Sequence, residues 1–282
     1  MIERRPWLDV IAHLVILCGI ALVAFPIWVA WVASTHAPEA LFRAPIPILP
    51  GGHMIENYRA ILVDGSEKAG GGPIGAMMLN SLIMAVGIAV GKIAISFLSA
   101  FAIVYFRFPL RMLCFWTIFL TLMLPVEVRI LPTYEVVADL GLLNSYPGLI
   151  IPLIASATAT FLFRQFFLTV PDELVEAARI DGAGPLKFLK DILLPLSRTN
   201  MAALFVILFI YGWNQYLWPL LITTDETMYT VVMGIKRMAE VAESLPLWNE
   251  VMTVTILAMI PPVAVVVGMQ RLFVKGLIES EK

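Results

Sequence analysis

Two cationic side chains lie inside apolar stretches of the chain, where a charge is costly. Lys92 falls near the middle of the run 78–106, and Arg129 falls late in the run 112–132. A charge at the centre of a bilayer costs on the order of 2.5–3.5 kcal/mol on insertion scales, so it normally faces a cavity or a partner. One hypothesis is that one or both residues line a pathway and favour an anionic solute. The alternatives are that Lys92 reaches the interface or pairs within the bundle, and that Arg129 pairs with Glu127.

A polar cluster, Asn214-Gln215-Tyr216, interrupts the apolar run 200–222. Amides and a phenol can line a pathway for a polar solute. They can equally hold two helices together by hydrogen bonds. Both interpretations of the cluster stay open at this point.

The sequence offers no arrangement for bond chemistry. The phosphate-loop pattern G-x-x-x-x-G-K-[ST] fails at its nearest approach, because Ile93 follows Gly91-Lys92 and Val86 stands where the first glycine belongs. We find no nucleophile beside a base at plausible positions. The chain is therefore predicted not to be an enzyme and to bind no cofactor, so that any ATP must be bound by another chain.

The cysteines and histidines indicate neither a disulfide scaffold nor a metal site. Cys18 and Cys114 are the two cysteines, and both fall in apolar runs. The three histidines, His13, His36 and His53, share no metal-ligand spacing with each other or with cysteine. No metal is therefore predicted.

The composition is that of a membrane protein. Of 282 residues, 60% are hydrophobic and 14% are charged, against about 45–50% and about 25% in soluble domains. A transmembrane helix needs roughly 20 mostly apolar residues. Runs of that length predict an all-α, polytopic fold with six transmembrane helices. They are 10–33, 78–106, 112–132, 146–167, 200–222 and 251–274. The first run exceeds the roughly 7–15 apolar residues of a signal peptide, so it is interpreted as a retained helix.

The basic residues predict the orientation of these spans, since cytoplasmic loops carry an excess of Lys and Arg. With a cytoplasmic N-terminus, twelve of the nineteen basic residues lie on the inner side and five on the outer side. The outer five are Arg43, Arg59, Lys68, Lys236 and Arg237. Both termini are therefore predicted to be cytoplasmic, with external loops at about 34–77 and 223–250 and a cytoplasmic loop at about 169–198.

The loop 169–198 contains start and stop signals of a short helix. Thr169 is predicted to cap it, Asp172 and Glu173 complement the positive helix end, and Gly182 ends it at a residue with positive φ. A second helix is predicted from Leu186 to Leu193, with Pro195 breaking it.

Three residues at positions i, i+3 and i+4, Leu174, Ala177 and Ala178, are predicted to form one small apolar face on the first helix. Because so short a helix is marginal alone, this face must pack on something. It is either a structural elbow against the chain's own spans or a docking knob for a partner.

This loop resembles a known family. Glu176-Ala177-Ala178, then Gly182 after three residues, then Ile192-Leu193-Leu194-Pro195 after nine more, is similar to the EAA loop of ABC-importer permeases. The resemblance implies a type I ABC-importer permease fold, a single transmembrane domain over 1–282, and a coupling helix seated in a groove of an ATPase subunit. The residues that the resemblance places in ATPase coupling are Leu174, Glu176, Ala177, Ala178, Asp181 and Gly182.

The resemblance extends along the whole chain. Asn80-Ser81, Arg107-Phe108-Pro109, the segment 162–167 and the segment 213–220 are similar to the carbohydrate-importer branch of the family. The segment 125–130 together with the tail 276–282 resembles the second permease subunits of sn-glycerol-3-phosphate importers. Many members of the branch end in a longer tail that contacts the ATPases, and this chain stops short of it.

The resemblance also implies the partners and the location. We expect a homologous second permease, two ATPase subunits, a periplasmic substrate-binding protein and membrane lipid, with no nucleic acid, in the bacterial inner membrane. The expected substrate is sn-glycerol-3-phosphate or a glycerophosphodiester. One alternative is an importer of the same branch for a neutral sugar or oligosaccharide. The alternative from another class is a polytopic carrier or scaffold without an ATPase, which co-purification of an ATPase would exclude.

A G-x-x-x-G pair, Gly87 and Gly91, lies in the second predicted span. Small residues at this spacing let two helices approach closely. We predict that the pair packs against a helix of its own chain, the alternative being the partner permease.

Overall fold

The computed structural model describes residues 6–70, 72–121, 126–240 and 245–279, with the side chains at 6, 126, 127, 271 and 273–279 left aside. All regular structure in these ranges is helical, and no strand occurs among them. The predicted all-α class is therefore confirmed. The described residues divide into two compact units: the chain up to Ala76 with Met233–Ile260, and Met77–Val232 with the chain beyond Ile260.

The first unit is built on one long apolar helix and the segment 35–70 that follows it. It contains α1 (Pro6–Ser34), α2 (Pro38–Leu41), α3 (Met54–Val63) and a 3₁₀ turn at Glu67–Ala69. Later in the chain it takes in most of α14 (Val231–Ala239) and the start of α15 (Trp248–Glu279).

Polar side chains organise the segment 35–70 of this unit. Asn57 Nδ2 donates hydrogen bonds to the carbonyl oxygens of Ser34, at 2.8 Å, and His36, at 2.9 Å. Ser66 Oγ donates to Glu250 Oε2 at 2.9 Å. The two Asn57 bonds satisfy backbone carbonyls that a loop would otherwise leave without a partner, and the Ser66 bond joins this segment to α15.

The second unit holds the remaining helices, and its longest is α4, which begins at Ile74 in the first unit and ends at Tyr105. The others, in chain order, are α5 (Arg111–Leu120), α6 (Val126–Asp139), α7 (Tyr146–Ile150), α8 (Ala157–Phe167), α9 (Asp172–Ile180), α10 (Pro185–Phe188), α11 (Leu194–Leu196), α12 (Arg198–Trp213) and α13 (Leu217–Ile222). Turns of 3₁₀ type lie at Ile151–Leu153 and Glu226–Met228, and a wider π-type stretch lies at Leu189–Leu193.

Length and apolar composition identify the helices that could cross a membrane. Within the described residues, α1, α4 and the first part of α15 (Trp248–Gln270) qualify as single helices. Two bent pairs qualify as broken spans: Tyr146–Leu153 with Ala157–Phe167, bent by 50°, and Pro185–Leu196 with Arg198–Trp213, bent by 72°. The first, second and sixth predicted spans are therefore continuous helices, and the fourth is a broken one.

The fifth predicted span, 200–222, was wrong as a single helix, since α12 ends at Trp213 and α13 begins at Leu217. Pro219 explains the break. A proline ring collides with the carbonyl four residues earlier in a continuous helix, but it is tolerated in the first turn of a new one. Restarting the helix at Leu217 puts Pro219 in that first turn.

The third predicted span, 112–132, also differs from the structure. The helix α5 covers ten residues, too few to cross a bilayer alone. A second helix, α6, follows from Val126 and contains Pro132. Residues 122–125, between the two helices, lie outside the described residues.

The fourth span is interrupted between Ile154 and Ser156. Ser156 Oγ accepts a hydrogen bond from the backbone N–H of Ala159 and so caps α8. Ser145 Oγ caps α7 in the same way, accepting from Gly148 N–H at 3.2 Å. Two serine caps within twelve residues favour two short helices over one long one.

The glycine pair of α4 packs against this interrupted span. A Cβ atom at Gly87 would lie 2.7 Å from Ile150 Cδ1, and one at Gly91 would lie 2.4 Å from Ile154 Cγ2. The prediction that Gly87 and Gly91 approach a helix of their own chain is confirmed. The close approach fixes α4, and with it Lys92, against the broken span.

Candidate functional site

Lys92 and Arg129 line one cavity in the second unit. Lys92 stands on α4 and Arg129 on α6, and the cavity between them has a volume of about 530 Å³. Hydroxyl groups supply the rest of its polar lining, and no described carboxylate contributes to it. The hydroxyl-bearing residues are Ser99, Thr117, Thr121, Ser156, Thr158, Thr160 and Tyr211. We call this the Lys92 cavity.

Lys92 is nearly buried, with 8% of its surface exposed. Its Nζ atom lies 3.8 Å from the centre of the Tyr211 ring, a cation–π contact. No carboxylate of the described residues lies within ion-pair distance of Lys92 or Arg129, and the side chain of Glu127 lies outside those residues. The partner of Lys92 within the bundle is therefore an aromatic ring, and the predicted alternative of an Arg129–Glu127 pair stays open.

A smaller cavity of about 230 Å³ shares two lining residues, Arg129 and Tyr211, with the Lys92 cavity. Arg129, Tyr211 and Gln215 line it together with Thr133 and Trp218. We call it the Gln215 cavity. Gln215 Nε2 donates to the carbonyl oxygen of Tyr211 at 3.2 Å, a bond within its own chain segment.

The polar cluster at 214–216 therefore divides. Gln215 faces the Gln215 cavity, whereas Asn214 and Tyr216 are absent from the linings of both cavities. Asn214 ends α12, and its backbone N–H donates to the Ile210 carbonyl. Sequence reasoning missed Tyr211, which contributes to both cavities. The available signal was a tyrosine one turn before the Asn-Gln pair in an otherwise apolar helix.

The loop 169–198 holds the second group of predicted residues. Its first helix, α9, begins with Asp172 and Glu173, which complement the positive helix end as predicted. Thr169 is not its cap: Thr169 Oγ1 donates to the Phe166 carbonyl at 2.7 Å, and Pro171 precedes the helix. The prediction for Thr169 was wrong because the hydroxyl closes the end of α8 instead.

Gly182 ends α9 with φ of +68°, as predicted. The backbone N–H of Ala183 donates to the Ala178 carbonyl at 2.8 Å, and that of Gly182 donates to the Arg179 carbonyl at 3.0 Å. These two bonds form a Schellman motif, which satisfies carbonyls at the helix end. Gly182 is thus required for the turn that exposes the end of α9.

The three residues of the predicted apolar face of α9 differ in burial, so that the elbow interpretation fits only Ala178. Ala178 is buried, at 5% exposed, whereas Leu174 and Ala177 are exposed. Val175 and Ala178, three residues apart, face the body of the unit instead and line a cavity of about 310 Å³. Its aromatic wall consists of Phe101, Tyr105, Phe106 and Phe188.

The opposite side of the loop is exposed and partly apolar. Ile180 is 85% exposed and Leu186 is 78% exposed, and Glu176, Asp181 and Gly182 are also exposed. The sequence prediction did not include Ile180 or Leu186. The sequence feature that could have identified them is an isoleucine and a leucine on either side of the Asp-Gly turn. No neighbouring apolar residues complete a buried helix face with them there.

The second helix of the loop runs further than predicted. It starts at Pro185, widens into π-type geometry over Leu189–Leu193, and continues through Pro195 to Leu196. Ser197 then marks the bend, with its Oγ donating to the Leu193 carbonyl at 2.6 Å. The wider turn accommodates Pro195, which lacks an N–H and would obstruct a regular helix.

Aromatic contacts join this loop to α4. The rings of Tyr105, on α4, and Phe188, on α10, lie 5.2 Å apart. Tyr105 Oη donates to the Phe167 carbonyl at 3.3 Å. The end of α4 thus contacts α10 through Phe188 and the end of α8 through Phe167.

The segment after α13 is held by Asn144, a residue with φ of +53°. Its Oδ1 accepts hydrogen bonds from the backbone N–H groups of Thr224, at 2.6 Å, and Asp225, at 2.9 Å. The hydroxyl and backbone N–H of Thr227 donate to the Asp225 carboxylate and hold its pKa below its usual value. Asp225 is not among the residues that line the two cavities.

Comparison with known proteins agrees with this architecture. The family model described as "binding-protein-dependent transport system inner membrane component" matches residues 92–279. Proteins named "sn-glycerol-3-phosphate transport system permease protein UgpE" match over the full length of both chains. Their identities are 61% in Brucella melitensis, 62% in Agrobacterium fabrum and 59% in Escherichia coli.

A solved structure shares the fold. It is a crystal structure of a bacterial ABC transporter involved in the import of the acidic polysaccharide alginate, superposed with a TM-score of 0.81 at 20% identity. The match covers 96% of this chain and 99% of that one. The helical architecture is therefore the type I ABC permease fold.

Fold and family together define the class: this is a multi-pass inner-membrane permease subunit of an ABC importer, not an enzyme. The chain belongs to the family of inner-membrane components of binding-protein-dependent transport systems.

Proposed function

We propose that this permease subunit carries sn-glycerol-3-phosphate across the inner membrane. Relatives that bear the name of this substrate are 59–62% identical over their full length. The observation that carries the proposal is the Lys92 cavity, in which Lys92 and Arg129 face a space bordered by hydroxyls and by no described carboxylate.

The chemistry of this cavity suits a phosphate ester. Two cations with no acidic neighbour among the described residues provide a positive potential that attracts and orients a phosphate dianion, and Arg129 can bind two of its oxygens at once. The surrounding threonine and serine hydroxyls can exchange hydrogen bonds with the glycerol hydroxyls. A neutral sugar could accept hydrogen bonds from the two cations but would not compensate their charge in a desolvated site, so the geometry favours the anion.

We further propose that the chain forms a single transmembrane domain over 1–282 that works with a homologous second permease, two ATPase subunits and a periplasmic binding protein. ATP hydrolysis then resides in the ATPase partners. The excess of basic residues on one side of the spans supports an orientation with both termini in the cytoplasm. In that orientation the loop 169–198 faces the ATPases.

The coupling role is assigned to the exposed side of this loop. Glu176, Ala177, Asp181 and Gly182 are exposed and available to a partner, and so is Leu174. Ala178 supports the same surface from behind, because its burial seats α9 on the aromatic wall around Tyr105. A helix that is anchored on one side and exposed on the other can pass a displacement from the ATPase to α4.

The transport cycle follows from this connection. Closure of the ATPases on ATP moves the loop 169–198, and the aromatic contacts of Tyr105 carry that movement into α4, on which Lys92 stands. The permease pair opens outward and receives the solute from the binding protein. Hydrolysis of ATP resets the inward-facing state.

The test is uptake of labelled sn-glycerol-3-phosphate in cells that lack this chain, with and without the chain restored. The cells must express the partner subunits and lack other carriers for this ester. We expect uptake to vanish without the chain and to return with it. Uptake that is the same in both strains would exclude this substrate, and a panel of neutral sugars would then test the second candidate.

A further inference from the structure

Tyr211 occupies the boundary between the two cavities. Arg129 and Tyr211 are the two residues that line both the Gln215 cavity and the Lys92 cavity. Of the two cavities, Lys92 lines only the larger one. A solute that moves from one cavity to the other therefore passes Arg129 and the Tyr211 ring before it meets Lys92, or after it has left Lys92.

The same ring is already engaged with the Lys92 ammonium. The Nζ atom lies 3.8 Å from the ring centre, and Lys92 has no described carboxylate as an ion-pair partner. A cation–π contact at such a desolvated site is worth roughly a threefold to thirtyfold change in an equilibrium constant. The ring is thus a substantial partner for the cation when no anion is bound.

A phosphate oxyanion is a stronger partner for an ammonium than an aromatic ring is. Strength alone, however, would trap the solute, because transport requires binding that is favourable enough to enter and weak enough to leave. A second partner that contacts the Lys92 ammonium again as the anion leaves lowers the net affinity for the anion. The positive charge of Lys92 stays in place.

We propose that the Tyr211 ring competes with the anionic solute for the Lys92 ammonium, so that a phosphate ester is released from Lys92 rather than retained. This inference rests on the proposed function, since it assumes that a phosphate ester passes through the Lys92 cavity. It makes Tyr211 a positioning residue for Lys92 and a determinant of turnover.

The test compares ring removal with ring retention in the complete importer, assembled with its permease and ATPase partners. Tyr211→Leu and Tyr211→Met remove the ring, whereas Tyr211→Phe keeps it. Equilibrium binding of labelled sn-glycerol-3-phosphate and transport turnover per assembled complex are measured. We expect both ring-less variants to bind the ester about threefold to tenfold tighter and to turn over more slowly. Tyr211→Phe should stay within about twofold of the native chain.

The Lys92→Gln background separates competition from a merely structural effect. There, Tyr211→Leu should leave the affinity unchanged, because the cation for which the ring competes is gone. Unchanged or weaker binding by both ring-less variants would overturn the inference. So would equal tightening in the Lys92→Gln background.

Inorganic phosphate is titrated in parallel as a second anion. A native importer that binds phosphate but neither binds nor transports the ester would refute the proposed function, while the phosphate affinities of the variants still measure the competition for Lys92. A native importer that binds neither anion would overturn the inference as well.

Discussion

Gly91 lies so close to Ile154 that a Cβ atom on the glycine would come 2.4 Å from Ile154 Cγ2. The contact joins the residue next to Lys92 to the break in the fourth span, and Ile154 is β-branched, so its Cγ2 cannot swing away cheaply. The position of the Lys92 cavity therefore depends on the absence of a side chain at Gly91.

We predict that Gly91→Ala destabilises the chain by about 1–3 kcal/mol through overpacking. Thermal denaturation of the purified permease and its abundance in membranes measure the effect. Gly19→Ala is the matched control, because a Cβ atom at Gly19 meets nothing within 4 Å. Equal stability of the two variants would show that α4 and the fourth span can move apart at Gly91 without a loss of stability.

We predict that Arg129→Gln lowers uptake of sn-glycerol-3-phosphate by about tenfold without lowering the amount of permease in the membrane, because a hydrogen bond to a charged group is worth about 1.5–3 kcal/mol. Arg129→Lys keeps the charge and should retain part of the activity. The measurement is initial uptake rate divided by membrane abundance. Unchanged uptake by Arg129→Gln would remove this residue from the pathway.

The exposed surface of the loop 169–198 gives a prediction about assembly. Ile180→Ser should reduce the amount of ATPase that co-purifies with the permease several-fold, because Ile180 offers an exposed apolar contact, worth about 1.5–3 kcal/mol when fully buried. Ile55→Ser is the control: Ile55 is 83% exposed but lies on α3, in the first unit. Equal recovery of ATPase with both variants would contradict a docking role for Ile180.

The left-handed turn after α9 can be tested on its own. Gly182→Ala should cost roughly 1–2 kcal/mol, since an L-residue resists positive φ, and it should slow transport by shifting the exposed end of α9. Gly184→Ala is a close control, because Gly184 has φ of −71° and, like Gly182, open space around its Cβ position. Transport turnover and protease cleavage within the loop are the measurements. If both alanines behave alike, the turn geometry does not govern coupling.

The sequence was sufficient where one local rule decides the structure. Gly182 at the end of an amphipathic stretch predicts a positive φ, and the glycine spacing in the second span predicts a close helix contact; both hold. Long apolar runs without an internal proline, such as most of α4, are found as continuous helices. In each case the residues that decide the outcome are adjacent in the chain.

Prediction failed where tertiary packing decides. Leu174, Ala177 and Ala178 fit an apolar face by spacing, but the aromatic residues of α4 and α10 select Val175 and Ala178 as the buried pair. The pairing of Lys92 with the Tyr211 ring could not be predicted, because 118 intervening residues must fold before the two meet. Apolar runs likewise do not show whether a proline bends a helix or restarts it.

The helix α4 has a consequence for how this transporter can change by mutation. Lys92 and Tyr105 stand on one uninterrupted helix, separated by about 20 Å at 1.5 Å per residue. In the proposed transport cycle, a mutation at the Lys92 end of α4 therefore also affects the Tyr105 end, which contacts the loop 169–198. We therefore expect second-site mutations that restore transport to a chain with a defective loop 169–198 to lie along α4, far from the original mutation.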